Sequence, residues 1–472
     1  MNHFDRIDYT LVKSPVPDCT QVPVMLTDET MEERLCKVMD GMKKEKLDTL
    51  VIYADLEHGS NFEYLTGFLP RFEEALLVLH LQGQHFMIMG NENLNKVASA
   101  RIKAVPLHAP HFSLPNQPME GAGPMEDILS RAGIRAGSRV GLAGWKLFTS
   151  SQEDNSGLFD IPFYIVNAIR TLVGDTGSIG NATALLIGDH GARRTNNVNE
   201  IEHYEFGASL AGDRMLAAMD LLEEGVRETE LGNVLNALGQ KNSVVTIAAS
   251  GRRFIKGNLY PTDHAVKIGE PISLTVGYKG GLSSRAGYAV KDSSQLPESV
   301  RDYIDIVAKP YFNAYAAWLE EIRCGLSGGA LYTLMEQVLP KSRYHWSLCP
   351  GHLTADEEWL ASPVYKGSGE IIESGMLFQI DILPSVEGYS GINGESTVAL
   401  ADEDLRSRIK AQAPGLWNRI CSRRSYIRQE LGIRLSPDVL PLTSTVAYLR
   451  PFLLEKQKAL RVRPQQRSQG FS

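Results

Sequence analysis

Four side chains with acid–base or metal-binding chemistry sit where the sequence otherwise reads as buried strand. Glu395 lies in GINGESTVAL, Asp381 in LFQIDILP, Thr275 in ISLTVGY, and His352 in the glycine-flanked PGHL. A buried carboxylate without a partner is costly, so two acids on buried strands require a metal ion, a cationic side chain or a raised pKa. The competing reading puts Asp381 and Glu395 on the solvent face of an antiparallel sheet, where half of the residues are polar. Patterning alone leaves these two readings even.

The elements that must position these residues follow from hydropathy. Met31, Leu35, Val38, Met39 and Met42 recur at helical spacing behind a Thr30/Glu33 capping box, and the helix leads into the strand DTLVIYA. EALLVLHL and HFMIMG, split by Gln82-Gly83-Gln84, predict a hairpin, and strand and helix signals alternate to about residue 175. A helical stripe then runs from Glu200 to Glu223, followed by a long helix ending at Gly325 and a third, GGALYTLMEQVLPK. Between and after them come SVVTIAAS, EPISLTVGYK, GMLFQIDILPSV and STVALA, all of strand character. Helices and strands gathered in blocks imply an α+β second domain.

The expected organisation is an N-terminal extension (1–28), a smaller α/β domain (29–175), an α+β domain (195–405) and a C-terminal accessory segment (406–472). The arginines Arg419, Arg423, Arg424 and Arg428 of that last segment read as a solvated helix face, ahead of an anion site.

Composition narrows the function classes. The net charge of −8 over 472 residues is mild and interleaved, with no basic stripe for nucleic acid. A polar N-terminus lacks the apolar core of a secretory signal, and nothing approaches the about 20 apolar residues of a membrane span. A cytoplasmic protein is expected. Cys19, Cys36, Cys324, Cys349 and Cys421 form no paired spacing, which argues against disulfides and structural zinc.

Taken in order, ASG (249–251), PTDHAVKIGE, ISLTVG, PGHL, ESGMLFQIDI and GESTVAL resemble the successive motifs of the Xaa-Pro aminopeptidase, prolidase and creatinase family, and NFEYLTGF resembles a motif of that family's first domain. The resemblance spans about residues 30 to 405. It implies the pita-bread fold: a curved antiparallel sheet with helices outside, preceded by an α/β domain. It further implies a homodimer and, in the peptidases, two metals held by two aspartates, a histidine and two glutamates. Here the first aspartate position is Thr275 and the second falls on or next to Arg285; the others are His352, Asp381 and Glu395.

Two metals do not suit that set, because Thr275 is neutral and a guanidinium repels a cation. One ion (Mn, Zn, Fe or Co) on His352, Asp381 and Glu395 is chemically acceptable. The favoured expectation is that Arg285 enters the site instead, pairs with both acids and leaves no metal cofactor. Histidines that the family places near the site are replaced, by Asn258 before PTD and by Trp359 after PGH; His264 follows the PTD motif. The expected catalytic residues are therefore His352, Asp381, Glu395 and Arg285, with Arg252, Arg253, Asn258, His264, Trp359 and Arg71 binding substrate. His58 and Tyr64 of the first domain are further candidates. Three functions remain open: a metal-independent hydrolase of a C–N bond in a small nitrogenous carboxylate or short peptide, a single-metal Xaa-Pro peptidase, and a catalytically inactive binding protein.

Overall fold

The computed structural model describes residues 4–464 apart from 122 and 258. Two compact units emerge, one of residues 26–194 and the other of residues 1–25 together with 195–472.

The first unit is built on a six-stranded sheet. In spatial order its strands are Val105–His108, Phe86–Met89, Ala75–His80, Thr49–Ala54, Arg139–Ala143 and Ser178–Asn181. The hairpin expected around Gln82-Gly83-Gln84 is the antiparallel pair Ala75–His80 and Phe86–Met89. Its first helix, Asp28–Lys44, is capped by Thr27, whose side chain accepts from the N–H of Thr30. That start is one turn earlier than the Thr30/Glu33 box predicted, because Thr27 offers the N3 amide the same hydroxyl cap and Asp28 and Glu29 suit the first turn. Val51, Leu76, Ile88 and Leu142 pack against Ile165 and Ile169 to form the core.

The second unit carries two antiparallel sheets. One has the order Gly281–Tyr288, Pro271–Tyr278, Ile247–Ser250; the other runs Ser347–Leu353, Leu377–Leu383, Val398–Leu400, Val439–Pro441. They meet where Ala286 bridges Asn393 and the N–H of Ser284 donates to the carbonyl of Glu395 at 3.3 Å. The helix Val198–Leu221, started by a full capping box between Asn197 and Glu200, packs on the strands Pro271–Tyr278 and Gly281–Tyr288. Glycine permits that approach, since a Cβ at Gly207 would strike the carbonyl of Lys279. The helix expected to run continuously to Gly325 begins with a wide π turn, Ile304–Ala308, and is α-helical only over Lys309–Glu321. Pro310, lacking an N–H, sits at that transition, where a bond in the ladder is lost anyway.

Neither end of the chain is a mere appendage. Ile7–Leu11 pairs antiparallel with Lys458–Val462, and Val439–Pro441 extends the sheet that holds Asp381. The accessory segment is thus integral to the second unit. Of its arginine helix, Pro414–Gln429, only Arg428 among the four arginines is on an exposed face. Arg423 is buried and binds Glu205 at 2.6 Å and Asp18 at 2.7 Å, with Arg419 on the other side of Glu205 at 2.8 Å. Sequence periodicity could not reveal this, since both acids lie hundreds of residues away. Among the described residues, no helix is long and apolar enough to cross a membrane.

Candidate active site

The site forms where the two sheets of the second unit converge. Along Leu377–Leu383 side chains alternate, so Gln379 and Asp381 share one face while Phe378 and Ile380 share the other. A register shift between Cys349 and His352 aligns His352 with Gln379, at the glycine of PGHL. Gly351 there has φ +154°, a conformation closed to most side chains. Glu395 comes from the irregular segment before Val398–Leu400, where the Asn393 side chain accepts its N–H at 3.0 Å.

His352, Asp381 and Glu395 each offer a ligand atom within 4.8 Å of the others, and all three are buried. The reading that set the two acids on a solvent face is therefore excluded. Gln379 organises the cluster: its Nε2 donates to Glu395 at 3.0 Å and to Glu358 at 3.2 Å, and its Oε1 accepts from Thr397 and from the N–H of Leu282, each at 2.7 Å. His352 Nε2 lies 3.2 Å from Glu358 and 3.4 Å from Glu395, and its ring stacks on Trp359 with centroids 4.3 Å apart. Asp381 differs from its neighbours: its carboxylate has no hydrogen bond or ion pair among the described residues.

These contacts set the electrostatics. Burial alone would lower the pKa of His352, but hydrogen bonds and charge from Glu358 and Glu395 outweigh it and hold the imidazole well above its usual range. Burial, reinforced by the charge of Glu395, pushes Asp381 up to about 8. Glu395 is also raised by burial, against the pull of its hydrogen bond to His352.

Arg285 is not in this cluster. The pairing of the two strands sets Thr275 opposite Ser284, and their hydroxyls meet at 2.7 Å, so the cavity-facing neighbour of Thr275 is Ser284 and Arg285 points to the opposite face. There its fully buried guanidinium donates to the carbonyls of Ser284 and Glu395 (2.7 Å each), Thr445 (2.6 Å) and Tyr448 (3.0 Å), and to the Ser396 hydroxyl (3.2 Å). The expectation that Arg285 neutralises Asp381 and Glu395 fails for that reason: a one-residue step along a strand reverses the face.

The other expected residues are dispersed. Arg253 binds the buried Glu228 and Thr262, His264 pairs with Glu270 at 3.0 Å, and Arg252 is exposed. Asn258 lies outside the described residues. Arg71, His58 and Tyr64 belong to the first unit: Arg71 rests over Phe72, His58 pairs with Asp55 at 3.2 Å and stacks on Trp145, and Tyr64 donates to the carbonyl of Ala192 at 2.9 Å. Among the described members of the proposed substrate-binding set, only Trp359 reaches the cluster. Glu358, which sequence reasoning missed, does so too. Its only signal was the acidic run in TADEEW so soon after PGHL, a run that reads equally well as solvated surface.

No protein-family model and no curated protein matches the sequence. Solved structures do. A prolidase from Thermococcus sibiricus superposes with TM-score 0.62 at 17% identity over 79% of this chain and 95% of its own. For an Xaa-Pro dipeptidase from Bacillus anthracis the values are 0.59, 14%, 79% and 96%, and for an X-Pro aminopeptidase from Thermotoga maritima 0.58, 15%, 80% and 96%. The chain has the pita-bread peptidase fold. Within that pita-bread frame, hydroxyls of Thr275 and Ser284 stand at one end of the site, while the other end keeps an imidazole and three carboxylates. A second metal finds no anionic ligand among those hydroxyls. A single ion fits the residues present: Asp381, Glu395 and His352 offer two carboxylates and an imidazole whose ligand atoms lie within 4.8 Å of one another.

Proposed function

We propose that this protein is a hydrolase of C–N bonds in short peptides, with one divalent ion held by His352, Asp381 and Glu395. The observation that carries this reading is the buried Asp381 carboxylate, which lies beside Glu395 and His352 and has no hydrogen bond or ion pair of its own among the described residues. With Arg285 turned away, the physical basis for a metal-free site is weaker than the sequence implied. When bound, such an ion would supply Lewis-acid polarisation and an activated water.

The chain's own residues supply the rest. His352 can direct Nδ1–H to the carbonyl of Leu353, 3.3 Å away, which turns Nε2 toward the acids. Gln379 holds Glu395 and Glu358 in place through its two donated hydrogen bonds. Glu358 keeps partial access to solvent and is positioned to accept and return a proton. Trp359 covers one face of the imidazole and limits water there. A second reading, acid–base chemistry without metal, draws on the 3.2 Å contact of His352 with Glu358, which makes an acid–base pair by itself.

Elemental analysis of protein grown with manganese, zinc, iron and cobalt, alongside assays on Xaa-Pro peptides, tests the first reading. About one equivalent of metal, lost together with hydrolysis in Asp381→Asn, is the expected result. Hydrolysis that persists in metal-free protein would move the assignment to the second reading.

A further inference from the structure

Proton counting at the hydroxyl end of the site leaves one donor free. Asn393 accepts the N–H of Glu395 on Oδ1 at 3.0 Å, which fixes the orientation of its amide and turns Nδ2 toward Ser284 Oγ at 3.2 Å. Ser284 Oγ therefore accepts from Asn393, and it shares a 2.7 Å hydrogen bond with Thr275 Oγ1. That bond uses one hydroxyl proton, whichever oxygen donates, and the pair carries two. The second O–H has no acceptor among the described residues, although Thr275 and Ser284 are only 7% and 5% exposed. Both line a cavity of about 450 Å³, within the range of small-ligand sites. Its charged lining is Glu358, Asp381 and Glu395, and Phe254 and Ile392 belong to its apolar wall.

A buried donor without a partner is costlier than an acceptor that keeps a spare lone pair, so a ligand gains by bringing an acceptor to this O–H. We propose that the Thr275–Ser284 pair determines specificity by donating a hydrogen bond to a carbonyl oxygen of the bound peptide, with Asn393 as the residue that positions the pair. A neutral donor suits a neutral amide carbonyl, since neither group brings the cost of burying an ion. The choice of a peptide carbonyl as the acceptor rests on the hydrolase reading; the free donor does not.

The test compares alanyl-pyrrolidide, which has a single carbonyl, with its thioamide, in which sulfur replaces the oxygen as a weaker acceptor. Affinities are measured by calorimetry in the cold on the full-length wild type and on Thr275→Val/Ser284→Ala, with hydrolysis followed in parallel. Wild type should bind the amide, and the amide-to-thioamide affinity ratio should fall about three- to tenfold in the double variant. Thr275→Ser, which keeps both hydroxyls, should retain the wild-type ratio. A merely structural disturbance weakens both compounds alike and leaves the ratio where it was. An unchanged ratio, the result if water alone takes the free proton, would overturn the proposal, as would failure of wild type to bind the amide. A lowered ratio without hydrolysis of either compound keeps the donor and rejects the hydrolase; hydrolysis with an unchanged ratio does the reverse. Thr275→Ala/Ser284→Ala, which adds no bulk, gives the same readout if the valine disturbs folding.

Discussion

Removing the charge of Asp381 should make the metal-stripped protein more stable in mild alkali. In the unfolded chain this carboxyl loses its proton near its ordinary value of 3.8, whereas in the folded state burial and Glu395 delay ionisation to about 8. Between those values the folded state holds the extra proton, so its stability falls as pH rises. At about 1.4 kcal/mol per pH unit the full effect has a ceiling of roughly 6 kcal/mol. Proton sharing with Glu395 and local entry of water reduce it to on the order of 2–4 kcal/mol. His352 and Glu395, also raised, add to the same trend and are shared by wild type and variant. Urea unfolding in chelator from pH 5 to 8.5 should therefore show the advantage of Asp381→Asn over wild type growing with pH, smallest at the acidic end and largest at the alkaline end. Excess manganese or zinc should reverse the wild-type slope, because coordination requires the ionised carboxylates, and should leave the variant unmoved. Parallel pH profiles for the two metal-free proteins would refute the claim that Asp381 is a buried acid without a partner.

Arg285→Met removes the guanidinium from four buried carbonyls, of which those of Glu395 and Thr445 keep a second donor, and should cost about 2–4 kcal/mol in urea unfolding. It should not change the metal content of the folded fraction; increased metal uptake would mean that the guanidinium competes with a cation after all. Trp359→Ala removes the ring stacked on His352 and should slow peptide hydrolysis about 3- to 10-fold, with Phe restoring most of the rate and the melting temperature hardly altered, since Trp359 is 41% exposed. Glu228→Gln leaves Arg253 without its charged partner and loses an acceptor for Ser250 and Thr262, at a cost of about 2–4 kcal/mol. Its kcat/KM, measured well below the melting transition, should match wild type, because Glu228 does not line the cavity.

Sequence and structure divide along physical lines. Periodicity located the helices and strands because burial imposes spacings of 3.6 and 2 wherever one face packs, and the strands that hold Asp381 and Thr275 were legible in this way. Acids embedded in apolar runs marked Asp381 and Glu395, and motif order linked them to His352. The sequence alone could not determine strand phase at the hairpin, where a single step decides between Ser284 in the cavity and Arg285 behind it. Neither could it determine partners far apart along the chain. Glu358 reaches His352 from the loop after its strand, Arg253 binds Glu228, and Arg423 joins Asp18 across 405 positions. Local hydropathy is a property of a few neighbouring residues, but which charge meets which, and so the sign of the cavity, depends on chain closure in three dimensions.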